Sequence, residues 1–286
     1  MFKKTLMAAA LLGASVTGVA NAALLQNWYF DPDGAGSSAK AVINEYFDIA
    51  GPSYVKTSVP SGGNFSFNEW GAARVTGADS GIGLDPFLST GEITATFTIT
   101  GNGTLGGNVF YTGGAINVYS QAGSKDWSST TGATDFYGAD NGVLIGTFTP
   151  VTGGGLIDAS GIPNGLQTIS AQASFLKAGY WFGTDGTTDL STKVSTGLLF
   201  GFATTNASRV TNPAAGVVSE IVNGMGGDPT FTNCLPGQVG GSCTGAGEFV
   251  ISNNGQFRLV PEPAGIALLG VAFAAAGFAS RRRSVK

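Results

Sequence analysis

Apolar and polar residues alternate along much of the chain, and this pattern predicts β-strands. In residues 92–100 every second residue is apolar, and the residues between are threonines. A period of two is typical of a strand with one buried face and one solvated face. We therefore predict a half-buried strand here, with its threonines facing water.

Shorter segments with strand-like composition follow at intervals. They are residues 24–31, 115–120, 143–151, 167–177, 179–182, 198–204, 248–252 and 257–260, separated by glycine-rich turns. Residues 38–49 fit both a helical and a strand period, and their β-rich surroundings favour a strand. We expect 167–177 and 179–182 to pair with each other. The pattern predicts an all-β fold, a β-sandwich of the jelly-roll type.

The N-terminus has the features of a secretory signal peptide. Lys3 and Lys4 precede an apolar stretch, residues 6–19, and Ala20-Asn21-Ala22 fits the A-x-A cleavage pattern. We predict that signal peptidase cleaves after Ala22 and removes residues 1–22. An exported domain, residues 23–258, then follows.

The C-terminal segment, residues 259–286, combines three features. Pro261, Glu262 and Pro263 form an extended stretch, because proline restricts both itself and the residue before it. The uncharged run 264–280 would be about 25 Å long as a helix, close to a membrane's hydrocarbon thickness. Basic residues beyond such a run favour the cytoplasmic side; they are Arg281, Arg282 and Arg283. The pattern predicts a single transmembrane helix.

This segment resembles the PEP-CTERM sorting signal of Gram-negative bacteria that make exopolysaccharide. The resemblance rests on Pro261-Glu262-Pro263, on Leu268-Leu269-Gly270 and on the arginine cluster 281–283. It implies processing by an exosortase, a membrane-embedded protease and transpeptidase. The chain would be a membrane-anchored intermediate first, and afterwards part of the cell surface or extracellular matrix.

The N-terminal part of the exported domain resembles the flocculation-associated PEP-CTERM proteins. The similar stretches are residues 27–34, 43–49 and 67–71. Those proteins are surface proteins that cells need to aggregate with exopolysaccharide. The resemblance brings no catalytic residue with it.

The amino-acid composition argues against several classes of function. Charged residues make up 11% of the chain, glycine occurs 46 times, and the formal net charge is −4. The one basic cluster lies in the C-terminal segment, which argues against nucleic-acid binding. No histidine is present, which excludes Ser-His-Asp and Cys-His catalysis and His-ligated metals within this sequence. We expect a protein without enzymatic activity and without a resident cofactor.

The two cysteines, Cys234 and Cys243, are close in sequence. In an oxidising compartment such a pair predicts one local disulfide. A reactive thiol pair is the alternative, but the spacing is not CxxC and no charged neighbour would activate a thiolate.

Two oxygen-rich turns are candidate calcium sites, with a plain turn as the alternative in each case. Residues 31–34 (Asp-Pro-Asp-Gly) begin like a calcium loop, but Val42 stands where an EF-hand requires glutamate. The second patch contains Asp135, Asp140 and Asn141. Calcium therefore stays an open alternative.

Carboxylates and tryptophans are the remaining candidates. Glu69, Asp79, Asp85 and Glu92 lie close enough in sequence to supply a glycosidase pair, although nothing fixes their separation. Trp28, Trp70, Trp127 and Trp181 could stack on sugars, but core packing and cross-strand pairs are the favoured interpretation. Trp127 is the candidate glycan contact, because polar residues surround it.

Three hypotheses follow from these patterns and from the two resemblances. The first is an exosortase-sorted surface or matrix protein that associates with exopolysaccharide in flocculation or biofilm formation. The second is a carbohydrate-binding module, with or without calcium. The third, less favoured, is a glycoside hydrolase that uses carboxylates.

Overall fold

The structure is a computed structural model that describes residues 25–36, 40–79, 84–127, 136–224 and 231–260. Thirteen strands are found in these ranges. They are β1 (Trp28–Phe30), β2 (Ala41–Ile43), β3 (Tyr46–Thr57), β4 (Asn64–Ala78), β5 (Glu92–Thr104), β6 (Asn108–Gln121), β7 (Val143–Ile157), β8 (Pro163–Leu176), β9 (Trp181–Phe182), β10 (Leu199–Val210), β11 (Val239–Gly240), β12 (Cys243–Thr244) and β13 (Glu248–Val260).

The helices are short and lie between the strands. They are the α-helices α1 (Asp85–Thr90) and α2 (Ala215–Val217), the 3-10 helices Phe136–Gly138 and Leu190–Thr196, and the π-helix Val218–Asn223. None of the described helices is long and apolar enough to cross a membrane.

Eight strands close into one barrel in the order β10-β13-β3-β4-β5-β6-β7-β8. Neighbours in this ring follow each other along the chain, apart from two insertions and from the pair β13–β3, which joins the last barrel strand to the first. The strand β9 intervenes between β8 and β10, and the β11–β12 hairpin intervenes between β10 and β13. The antiparallel pair β13–β3, in which Phe257 lies opposite Phe47, closes the ring. The pair β8–β10 is also antiparallel, with Phe202 opposite Ile169.

The prediction of an all-β fold is confirmed, but the predicted β-sandwich is wrong. A sandwich has two facing sheets, whereas here one sheet runs around the ring and each barrel strand has two neighbours. Alternation marks an inner and an outer face in both architectures, so it could not distinguish them. The predicted transmembrane helix, 264–280, lies outside the described residues.

Bulges and glycines allow the long strands to bend into a ring. The register shifts between Thr100 and Gly101 in the β5–β6 pair, and three times in the β7–β8 pair. A bulge increases local twist, and barrel walls need such curvature. At Gly51 the backbones of β3 and β4 come so close that an added Cβ would lie 2.0 Å from the carbonyl oxygen of Ala72.

One end of the barrel, here the tryptophan end, is filled by aromatic rings. A separate three-stranded sheet, β2-β1-β9, brings Trp28 and Trp181 against it, and their rings stack 6.0 Å apart. Trp28 meets Phe47 at the start of β3, and Trp181 meets Phe257 near the end of β13. Burying rings of this size is a major source of stability.

The opposite end, here the disulfide end, has a second apolar cluster. Buried residues of the wall form it, among them Val55, Phe65 and Phe249, and the half-buried Leu235 of the preceding loop packs on it. Between the two apolar clusters, polar side chains also point into the barrel. That middle layer contains the site described below.

The interpretation of residues 38–49 as strand agrees with the structure where it is described, since β2 and β3 occupy residues 41–43 and 46–57. The expected pairing of 167–177 with 179–182 is wrong. Instead β8 pairs with β7 and β10, while β9 pairs with β1. Only the two residues of β9 are strand, and their rings belong to the tryptophan end.

The threonines of β5 are only partly in water, contrary to the prediction. Thr94 and Thr96 are buried although they lie on the outer face. The Thr94 hydroxyl donates to the carbonyl of Ala139 at 2.6 Å, so a later segment covers the wall here. The covering segment is about 45 residues away in sequence, so the local alternation of β5 could not predict that Thr94 is buried.

Replacing Gly51 with alanine should destabilise the barrel by about 1–3 kcal/mol, because the β3 and β4 backbones must separate to make room. Gly77→Ala is the matched control, since its nearest neighbour would lie 3.9 Å from the new carbon. That variant should stay within about 0.5 kcal/mol of the parent. Chemical unfolding measures both, and equal midpoints for the two variants would contradict the close-approach argument.

Candidate functional site

The predicted processing residues lie outside the described part of the chain. These are the signal-cleavage residues Ala20 and Ala22, the motif Pro261, Glu262 and Pro263, and the cluster Arg281, Arg282 and Arg283. Their roles stay predictions from the sequence.

The predicted disulfide is confirmed. Cys234 and Cys243 are bonded, with their Cα atoms 5.7 Å apart. Cys234 is buried and bridges to Glu248 at the start of β13. The bond closes the loop that carries the β11–β12 hairpin, and Pro236 of this loop lies against Gly247. The loop is thereby held on the disulfide end.

The first candidate calcium turn is built around a pair of carboxyl groups. Asp31 is buried, and burial raises its pKa, with a hydrogen bond and repulsion from Asp33 adding to the effect. The Ala35 N–H donates to Asp33 at 2.9 Å. Gly34 adopts φ +65°, and the ring of Tyr180 occupies the space of its missing side chain. These contacts are those of a tight turn.

The second patch, Asp140 and Asn141, follows the 3-10 helix before β7, while Asp135 lies outside the described residues. Within the described ranges, no three acidic, histidine or cysteine side chains lie close enough together to hold a metal ion.

The four candidate carboxylates do not share one cleft. Glu69 lines the barrel interior, whereas Glu92 faces outward and accepts hydrogen bonds from the backbone N–H groups of Asp126 (2.7 Å) and Trp127 (3.3 Å). Asp79 accepts a bond from a backbone N–H at 3.4 Å, and Asp85 is exposed in α1. A glycosidase needs two carboxyl groups facing one substrate, and this set does not supply them.

Three of the four tryptophans serve packing, as the favoured interpretation predicted. Trp28 and Trp181 are fully buried at the tryptophan end. Trp70 stacks on its cross-strand partner Tyr54, with ring centres 5.6 Å apart.

Trp127 lies on an open groove on the outside of the barrel. It is half-buried, its ring meets the edge of Tyr137 at 5.3 Å, and the Arg74 guanidinium lies 5.8 Å from its centre. The groove has a volume of about 300 Å³ and also contains Pro213 and Val217. An aromatic ring beside a cation on an open surface is suited to contact a sugar, but the ring is partly occupied by its protein neighbours.

The interior of the barrel contains a polar layer between the two apolar clusters. Five polar residues from five strands form it, namely Ser53 on β3, Glu69 on β4, Tyr111 on β6, Gln167 on β8 and Asn253 on β13. A cavity of about 100 Å³ lies beside it, and a smaller one of about 30 Å³ lies on the side of the disulfide end. Glu69, Tyr111 and Gln167 line both cavities.

Hydrogen bonds connect the members of this layer. Glu69 accepts hydrogen bonds from Ser53 and Asn253, and the Asn253 amide also donates to the Ser53 hydroxyl at 2.8 Å. On the other side of the barrel the Tyr111 hydroxyl donates to Gln167 at 3.3 Å, and Gln167 donates to a backbone carbonyl at 2.7 Å. The layer therefore consists of two hydrogen-bonded groups with defined partners, as buried polar groups require.

The carboxyl group of Glu69 has no cation beside it within the described wall. Burial raises its pKa, and the hydrogen bonds from Ser53 and Asn253 offset part of the rise. Burial also raises the pKa of Tyr111, and the charge of Glu69 adds to it. Arg74 borders the cavity too, but it is exposed and its guanidinium lies over Trp127 outside the wall.

Glu69 was predicted as a candidate carboxylate, but its hydrogen-bond partners in the interior were not predicted. A usable signal was present, because Asn253 and Gln167 each occupy an apolar position in an alternating run. Asn253 follows Phe249 and Ile251 at a spacing of two, and Gln167 precedes Ile169 at the same spacing. A polar residue on the buried register of a strand indicates an interior polar group.

A second surface feature is the outer face of β6, β7 and β8, here the uncharged wall. These three strands contain no charged residue. Phe110 and Leu156 are each 59% exposed there. Threonine and asparagine side chains link neighbouring strands, as in the bond from Thr147 to Asn117 at 3.0 Å.

The raised pKa of Glu69 predicts a pH-dependent stability. The folded protein keeps a proton that the unfolded chain releases above about pH 4.3. This stabilising contribution is complete below that pH and is lost as the pH rises through the raised pKa. Glu69→Gln has no proton to lose, so its free energy of unfolding should rise relative to the parent between pH 4 and pH 8.

Unfolding by denaturant at both pH values tests this prediction. Asp85→Asn, an equivalent exchange at an exposed carboxylate, serves as the control and should show no such trend. A difference between parent and Glu69→Gln that stays constant with pH would show that Glu69 is not kept protonated by the fold.

Known proteins give no guide to the function of this chain. No protein-family model, no curated protein and no solved structure matches the chain. The function has to be inferred from the sequence motifs and from the geometry of the barrel.

Proposed function

We propose that this chain is an exported, non-enzymatic protein of the cell surface or extracellular matrix of a Gram-negative bacterium. Signal peptidase removes residues 1–22, and an exosortase acts at the segment that contains Pro261, Glu262 and Pro263. The mature protein associates with exopolysaccharide and supports the aggregation of cells into flocs or biofilm. The motifs at both ends and the disulfide support export to an oxidising compartment.

The structural observation that best supports a matrix role is the uncharged wall. Typical soluble domains contain about 25% charged residues. Here three adjacent barrel strands expose hydroxyl, amide and apolar groups instead. Hydroxyl and amide groups exchange hydrogen bonds with sugar hydroxyls, and exposed rings cover the apolar faces of sugars. This chemistry fits a neutral polysaccharide.

Phe110 is the centre of the wall at the disulfide end. Its cross-strand neighbours are Asn102 and Gly154, and the glycine has no side chain to cover the ring. A shallow groove beside the ring is lined by Asn64, Ser66 and other small polar residues. A ring with amide and hydroxyl groups around it offers one sugar unit both stacking and hydrogen bonds.

Weak contacts of this kind are sufficient when they are repeated. A polysaccharide presents many identical units, and many copies of the protein are displayed along it. Binding at one unit raises the effective concentration of the next contact, so avidity exceeds the affinity of a single site. A protein that promotes cell aggregation needs this reversible, multivalent attachment.

The second candidate function is a carbohydrate-binding module centred on Trp127. The groove that contains Trp127, Tyr137 and Arg74 is the observation in its favour. Arg74 gives this groove a positive charge, which favours an acidic sugar rather than a neutral one. Calcium stays an alternative aid to binding.

Deletion of residues 261–286 should prevent delivery of the protein to the cell surface, because the exosortase would lack its recognition segment. Surface labelling and fractionation would measure delivery, and a sedimentation assay would measure flocculation. A variant in which Pro261 and Pro263 alone are replaced by alanine separates the motif from the rest of the segment. Unchanged surface delivery and unchanged flocculation would refute the sorting proposal.

Polysaccharide retention of the purified protein distinguishes the two surfaces. Phe110→Ala should lower affinity about five-fold or more if the uncharged wall binds, since about 1 kcal/mol of ring contact is lost. Trp127→Ala should do so if the groove binds. Val239→Ala, at a residue 76% exposed on the disulfide-end hairpin, is the control. Retention unaffected by either aromatic exchange would argue against both surfaces.

A further inference from the structure

The interior cavity has features that simple barrel packing does not require. Small barrels of eight strands fill their interior with side chains, or leave a space that holds one small ligand. Here a cavity of about 100 Å³ remains in the middle of the barrel. Its lining residues, such as Ala95, Phe97 and Phe202, keep part of their surface uncovered although they point inward.

The cavity is apolar on most of its lining and polar in one place. Ile93, Ile116 and Phe257 are among the apolar lining residues. The polar place is the layer of Glu69, Ser53 and Asn253 on one side, with Tyr111 and Gln167 on the other. An apolar space with a few convergent polar groups is the usual form of a small-molecule site.

The chemistry of the polar layer selects the head group of a ligand. Glu69 is the one carboxylate among the described lining residues, and no described cation faces it inside the wall. A buried carboxyl group is costly when it is charged and unpaired. A ligand that donates a hydrogen bond, or that brings a positive charge, removes this cost, whereas an anionic ligand increases it.

We propose that the barrel interior binds a small, mostly apolar molecule with one hydrogen-bond-donating head group, which Glu69 receives. The apolar part of the molecule lies among the side chains around Phe97 and Ile116. An apolar cavity of about 150 Å³ in another protein accommodates benzene, so one six-membered ring is near the upper size for this space.

Ligand binding inside the barrel is independent of the proposed role in the matrix. The matrix role depends on the outer wall and on the C-terminal segment, whereas ligand binding depends on the interior. Each can therefore fail in an experiment while the other stands.

A series of probes on one ring tests the proposal with the full-length protein. Benzene, phenol, benzylamine and benzoate share the ring and differ in the head group. Phenol and benzylamine should bind about ten-fold more tightly than benzene, because each donates a hydrogen bond to a carboxyl group. Benzoate should not bind. Ligand-observed NMR titration measures all four.

Two variants locate the site. Ala95→Leu fills the cavity from β5 and should abolish binding of phenol, benzylamine and benzene alike. Glu69→Gln keeps the shape of the side chain and should lose most of the preference for benzylamine over benzene, while benzene still binds. Asp85→Asn, on the exposed α1, is the matched control and should leave every affinity unchanged.

Several outcomes would overturn the proposal. These are no binding of any probe to the parent, equal affinity for benzene and phenol, or full binding by Ala95→Leu. A preference for benzylamine that persists in Glu69→Gln would also do so. Where Glu69→Gln does not fold, Tyr111→Phe takes its place as a milder change in the polar layer. The folded Tyr111→Phe variant should bind phenol more weakly than the parent.

Discussion

Closure of the sheet into a ring creates the interior in which the apolar clusters, the polar layer and the cavity lie. Eight strands in a ring enclose a space that the inward side chains have to fill, and here they fill it unequally. The aromatic cluster at the tryptophan end packs ring against ring, and aliphatic and phenylalanine side chains close the disulfide end. The polar layer lies between these two clusters, and the cavity extends from it among apolar side chains such as Phe97 and Ile116.

The sequence predicted the fold class because alternation is a local property. In β5 every second residue from Ile93 to Ile99 points inward, as the pattern indicated. Whether the sheet closes on itself depends on strand number and register across the whole chain, and no local pattern encodes either. Segment β4 was missed because Glu69 and Gly71 interrupt the apolar period begun by Phe65 and Phe67. The interruption itself marks the polar layer.

The candidate site was predictable only in part for the same reason. Glu69 was predicted as one of four candidate catalytic carboxylates. Its partners Ser53 and Asn253 are distant in sequence and meet it only through strand pairing. The disulfide was predictable because its two cysteines are near neighbours. Trp127 was chosen as the candidate glycan contact because its neighbours in sequence are polar, yet Tyr137, ten residues further on, packs against its ring.

The closed ring also determines how copies of this protein can meet at high concentration. A free strand edge is a template on which chains add to one another and form fibrils. Each barrel strand already has two partners, and the strands of the described part that end a sheet, such as β2 and β9, are three and two residues long. The barrel strands therefore offer no free backbone edge for a neighbouring molecule to extend. A glycine-rich, β-rich protein can thus be concentrated with little exposed strand edge on which a fibre could grow.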